Sequence, residues 1–138
     1  MTIKQISVFL ENKSGRINVV TKALGDHGIN MHAFSMTETT DFGILRLIVS
    51  DVDKAVEVLR KENFAVVITD VVCISCPNVA GALSKILEHL TAHGVFIEYM
   101  YAFAQGDTAK IVIRPSELQA CLDLLETDEC NILGSKQL

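Results

Sequence analysis

Proline is scarce in this chain, clusters of lysine and arginine are missing, and no long apolar run interrupts it. Two isolated prolines in 138 residues, of which 49% are apolar, exclude a disordered polypeptide. A net charge of −5 with no basic cluster argues against a nucleic-acid partner. Nothing approaches the roughly 20 apolar residues that span a bilayer, so no membrane partner is expected either. The opening residues, MTIKQISVFLENK, lack the apolar core and small-residue cleavage site of a secretion signal and read as a first strand. The four cysteines, Cys73, Cys76, Cys121 and Cys130, show no dense disulfide spacing, which points to reduced thiols in a cytoplasm. Also missing are a nucleophile–base pair at a recognisable spacing, a glycine-rich phosphate loop and a metalloprotease motif. The expectation is a cytoplasmic protein that is not an enzyme and needs no cofactor or metal.

What is present is a repeat. Sliding the sequence by 66 residues sets Asn12 on Asn78, Gly15 on Gly81, Leu24 on Leu90 and His27-Gly28 on His93-Gly94. Apolar positions match as well: Ile6 with Val72, Val8 with Ile74, Val20 with Ile86, Leu45 with Ile111, Leu47 with Ile113. Such persistence marks an internal duplication, with halves 1–69 and 70–138.

Each half reads strand, helix, strand, strand, helix, strand. Residues 3–10 alternate, 15–27 carry Ile17, Val19, Val20, Ala23 and Leu24 on one helical face, and Gly28 suits a helix C-cap. Residues 29–38 and 43–50 form a hairpin around TTDFG; a helix starts at Ser50-Asp51-Val52-Asp53, with Val52, Ala55, Val56 and Leu59 inward. In the second half Ser116-Glu117-Leu118-Gln119 has the form of a capping box after Pro115. This βαββαβ order predicts an α+β protein of two ferredoxin-like units, each an antiparallel sheet with both helices on one face.

The loop LENKSGRI, between the first strand and first helix, is the chemically suggestive stretch. Asn12 or Ser14 supplies a helix cap, but Gly15 costs a helix up to about 1 kcal/mol relative to alanine. Its recurrence as Gly81 predicts a backbone bared for close approach.

These marks, LENKSGRI followed by HGINM and CPNVAGAL followed by HGVFI, make each half resemble an ACT domain, over essentially the whole chain. Family members commonly carry D-x-P-G before the helix; here Ser14 and Ala80 hold the proline position. The resemblance implies an amino acid bound between two ACT units, with loop N–H groups from one and the second strand of the other. It implies ligand-binding roles for Asn12, Lys13, Ser14, Gly15, Arg16 and Ile17, facing Ile97 and Glu98. It implies the same for Asn78, Val79, Ala80, Gly81, Ala82 and Leu83, facing Asn30, Met31 and His32. The serine-sensing regulatory domain of phosphoglycerate dehydrogenase is similar to the first half, with asparagines at the positions of Asn12 and Asn30. In the second half Asn78 matches but Phe96 replaces the other, so the resemblance implies unequal sites.

The chemistry is coherent: a helix N-terminus suits the ligand's carboxylate, and an amide both donates and accepts. The resemblance therefore implies a non-enzymatic regulatory protein that senses a small amino acid and signals to a partner enzyme or regulator, possible homodimer formation included. Two other functions are open. One is an interaction subunit with no ligand of its own. The other is a metal carrier built on Cys73-Ile-Ser-Cys76, against which stands the alignment of Cys73 with Ser7 inside a strand, so that the two thiols point to opposite faces. His89 and His93, four apart on a helix, read as a solvated surface, and Phe96 and Tyr99 as packing residues.

Overall fold

The computed structural model describes residues 1–11, 13–38, 41–127 and 131–138. Asn12, Cys130 and the Thr39-Thr40 part of the predicted TTDFG turn lie outside the described residues. The chain divides into two compact units, one of Lys4–Thr69, the other of Asp70–Leu138 with Met1–Ile3.

The first unit contains β1 (Ile3–Glu11), α1 (Arg16–Asp26), β2 (Met31–Glu38), β3 (Phe42–Val49), α2 (Val52–Lys61) and the start of β4 (Ala65–Pro77). Its strands lie in the order β2-β3-β1-β4, and β3 runs antiparallel to both β1 and β2. Alternation decides the faces: Ile6, Val8 and Leu10 of β1 join Leu45, Leu47 and Val49 of β3 in a core. From the helices, Val20, Ala23 and Leu24 of α1 and Ala55, Val56 and Leu59 of α2 close over it. A fully buried side chain such as Leu47 contributes about 1.5–3 kcal/mol relative to exposure. Two residues assigned to the core face of α1 depart from it: Ile17 and Val19 are exposed, because the buried stripe runs through Val20 and Leu24.

The second unit repeats the plan with α3 (Ala82–Ala92), β5 (Ile97–Gln105), β6 (Thr108–Pro115), α4 (Leu118–Leu125) and β7 (Asn131–Leu133). Its order is β5-β6-β4-β7, with Val72, Ile74, Ile111, Ile113, Ile86, Leu90 and Leu122 in its core. The strand that closes the first repeat does not stop at its end but continues as β4 to Pro77, because no glycine or proline interrupts AVVITDVVCISC.

Helix ends explain the paired His-Gly steps. Gly28 and Gly94 adopt φ 68° and 76°. Ile29 N–H donates to Leu24 (2.9 Å) and Val95 N–H to Leu90 (3.0 Å), the 6→1 bond of a Schellman motif. Helix starts differ from one another. Asp51 caps α2 through its carboxylate, which accepts from Lys54 N–H at 3.1 Å. The capping box expected at Ser116 does not form: α4 begins after Glu117, without a side-chain cap. Ser116 N–H instead donates to Phe96, and the Gln119 amide donates to Asp123.

Candidate functional site

Both loops before the first helix of a repeat are built as one kind of turn. Arg16 N–H donates to Lys13 at 3.4 Å, and Ala82 N–H to Val79 at 3.2 Å. The third residue of each turn is a glycine, Gly15 at φ 85°, ψ −3° and Gly81 at φ 85°, ψ −10°, the geometry of a type II turn. A Cβ on either glycine would meet nothing within 4 Å. The positive φ by itself requires glycine there, and the space beside each turn is open. Each glycine also stands at the helix cap, so neither Ser14 nor Ala80 occupies that position. Among the described residues no side chain caps the first turn of α1, which lies at the positive end of the helix dipole.

In the first repeat this turn borders a cleft of about 760 Å³. Among the described residues its near wall is Lys13, Ser14, Gly15, Arg16, Ile17, Asn18 and Thr21, joined by Leu10, Glu11, Met36 and Glu38. Four charges line it, two of each sign. Glu11 and Lys13 pair at 2.9 Å, and hydrogen bonding from that ammonium holds the Glu11 carboxyl below its ordinary range. The Arg16 guanidinium stacks over the Phe64 ring, 4.4 Å from its centroid, and its buried Nε has no hydrogen-bond partner among the described residues. One cation beside a helix start and one carboxylate on β2, Arg16 and Glu38, are therefore not consumed by an ion pair among the described residues. A zwitterion has the matching charges.

The second repeat offers a different surface. Shifted by 66, Glu11, Lys13, Arg16 and Glu38 become Pro77, Val79, Ala82 and Ala104, and Thr21 becomes Leu87. Every charge is gone. Asn78 is committed to the hairpin between β5 and β6: its N–H donates to Asp107 (2.8 Å) and its side-chain amide to Gly106 (3.1 Å). Val79, Ala80 and Gly81 are exposed, while Ala82 and Leu83 are half-buried, Leu83 against the core.

The strand residues expected to face the other repeat's loop and select its ligand open β2 and β5 or, as Asn30 does, precede them. Met31 and Ile97 pack against the cores, and His32 and Glu98 fall at matching irregularities of β2 and β5. Asn30 is exposed, with its N–H bound to the Ser50 hydroxyl at 2.9 Å, and Glu98 lies 3.7 Å from Arg114. These positions are at the start of β2 and β5, whereas the cleft uses the end of β2. Met36 and Glu38 were missed because only the hairpin register places them beside the turn. Loss of all four cleft charges at the 66-residue offset was the readable signal. Phe96, expected to pack, is 68% exposed.

The thiols of Cys73 and Cys76 are withdrawn from solvent. Cys73 is fully buried, and Cys76 lies in the core of the second unit. Burial pushes the Cys73 thiol up to about 11 and raises that of Cys76 too. Iodoacetamide at pH 8 should accordingly leave Cys73 unmodified in the folded chain and label it after unfolding in urea, read by peptide mass spectrometry; fast labelling of the native chain would contradict this burial. His89 and His93 stack with ring centroids 4.8 Å apart. Among the described residues no three metal-ligating side chains gather.

A family model described as an ACT domain pair matches residues 1–138. Among solved structures, protein BT0572 from Bacteroides thetaiotaomicron is 55% identical, with a TM-score of 0.93 over 96% of this chain and 92% of that one. The regulatory subunit of aspartate kinase from Thermus thermophilus has a TM-score of 0.69 at 16% identity, covering 89% of this chain and 90% of its own. The corresponding subunit from Thermus flavus has a TM-score of 0.64 at 16% identity, covering 89% of this chain and 90% of its own. These last two show a shared fold. A search of curated proteins returns no match.

Proposed function

This chain belongs to the ACT-domain-pair family, and from that premise we propose that it is a regulatory protein without catalysis, whose first repeat takes a free α-amino acid in the cleft at Lys13–Asn18. The observation that carries the reading is the charge arrangement there: Arg16 and Glu38 remain after Glu11 and Lys13 have neutralised each other. The ligand's carboxylate goes to Arg16 and the first-turn amides of α1, its ammonium to Glu38. Binding favours one arrangement of the chain, and a partner enzyme or regulator that distinguishes the arrangements reads it. Aspartate kinase regulatory subunits with this fold are a precedent for such a partner. In this reading the protein works in the cytoplasm.

Isothermal titration against the twenty amino acids tests it. One ligand per chain, binding below millimolar concentration, is the expected result; the absence of any such ligand removes the proposal's support. Two ligands per chain would contradict the assignment to the first repeat alone.

A second reading, that the chain docks a partner without a ligand, is favoured by exposed apolar residues on the second repeat: Val79 before α3 and Phe96 after it. Co-purification separates the two, because Arg16→Ala should shift any ligand response to higher concentration and leave docking intact.

A further inference from the structure

β2 and β5 are the edge strands of their units: among the described residues each is paired on one side only, β2 with β3 and β5 with β6. An open strand edge is a template for another strand, and proteins ordinarily blunt it with lysine or proline. Neither MHAFSMTE nor IEYMYAFAQ contains either residue. Each strand has one irregularity near its start, and beyond it Ala33–Glu38 and Tyr99–Gln105 run in regular register. Apolar side chains stand open on both: Phe34 is 62% exposed, Met36 41% and Met100 39%.

The two edges differ in a complementary way. On the helix-covered face β2 carries Phe34 and Met36, opposite Leu47 and Leu45 of the core strand β3. On the same face β5 carries Ala102 and Ala104, opposite Ile111 and Ala109 of β6. Alternation puts the intervening residues on the other face, and there the sizes reverse. β2 has Ala33, Ser35 and Thr37; β5 has Tyr99, Tyr101 and Phe103. Where one edge is bulky the other is small, on both faces. Two copies of β2 side by side would instead crowd Phe34 against Met36 on one face and bring only small side chains together on the other.

We infer that the chain pairs with a second copy of itself, β2 of each copy running antiparallel to β5 of the other. A two-fold axis makes both contacts at once and leaves neither edge open. Charge favours one register. With Met36 opposite Ala102 of the other copy, Phe34 meets Ala104, Ser35 meets Phe103 and Thr37 meets Tyr101. A slip of two residues that brings Met36 opposite Met100 would also set Glu38 against Glu98, two carboxylates directly opposed. Helix-side residues meet helix-side residues in the favoured register, so the sheet continues across the contact. The pairing does not depend on whether the first-repeat cleft takes an amino acid.

Light scattering behind size-exclusion chromatography tests this on the full chain. Wild type at micromolar concentration should elute with twice the mass of one chain. Met36→Lys and Ala102→Glu each place a charge in the contact, at positions exposed in the single chain, so folding is not at risk. Each should raise the dissociation constant of the dimer about tenfold or more. Combined in one chain, the two should restore the dimer, because the new ammonium and carboxylate face each other at both contacts. A monomeric wild type overturns the inference. So does a dimer that neither variant weakens, or a double variant that associates no better than the single ones. A dimer weakened by only one of the two substitutions also overturns it, in favour of β2 with β2 or β5 with β5.

Discussion

An Arg16→Ala chain is expected to bind its amino acid about 10- to 100-fold more weakly than wild type. Glu38→Gln should lose a comparable factor. A hydrogen bond to a charged group contributes about 1.5–3 kcal/mol net, and each 1.4 kcal/mol is about tenfold in affinity. Arg16 is half-buried against Phe64, so its charge is less screened than that of a surface lysine. Lys13 makes the control. It is exposed and already paired with Glu11, so Lys13→Ala should change affinity much less. Since Arg16→Ala also removes a ring contact, Arg16→Met keeps an apolar chain over Phe64 and should lose affinity to the same degree. Equal affinity in wild type and Arg16→Met would show that the guanidinium is not the carboxylate's partner.

The two loop glycines should separate stability from binding. Gly15→Ala and Gly81→Ala each force an L-residue into the left-handed region, at a cost of about 1–2 kcal/mol. Neither added Cβ meets a neighbour, so the cost is conformational and should be similar at both sites. Urea unfolding would register both losses. Ligand affinity should fall only for Gly15→Ala, because that turn sets the start of α1 at the cleft. An equal effect of both variants on binding would contradict the asymmetry between the repeats.

Much of the fold could be read from local chemistry. Alternation in β1 and β3 placed Ile6, Val8, Leu45 and Leu47 inward, and His-Gly steps marked the ends of α1 and α3, because strand faces and Schellman glycines depend on near neighbours. Three features lay beyond that reach. The sequence offers Asn12 or Ser14 as the cap of α1 and Ser116 as that of α4, but the chain enters α1 through the type II turn at Gly15, and it enters α4 at Glu117 with Ser116 bound to Phe96. Ile17 looked like core from its spacing, yet its place at the first turn turns it toward the cleft. The loop residues Lys13–Ile17 were legible as candidates because polar groups gather before a helix. Met36 and Glu38 were not, since twenty residues of helix and strand separate them from that loop and only hairpin register returns them to it.

Amide chemical-shift mapping during titration with the tightest-binding amino acid tests the central claim most directly. The expected result is saturable shifts at Lys13–Asn18 and at Met36–Glu38, with little change at Val79–Ser84. Shifts centred on Val79–Ser84, or saturation that leaves Lys13–Asn18 unmoved, would contradict it.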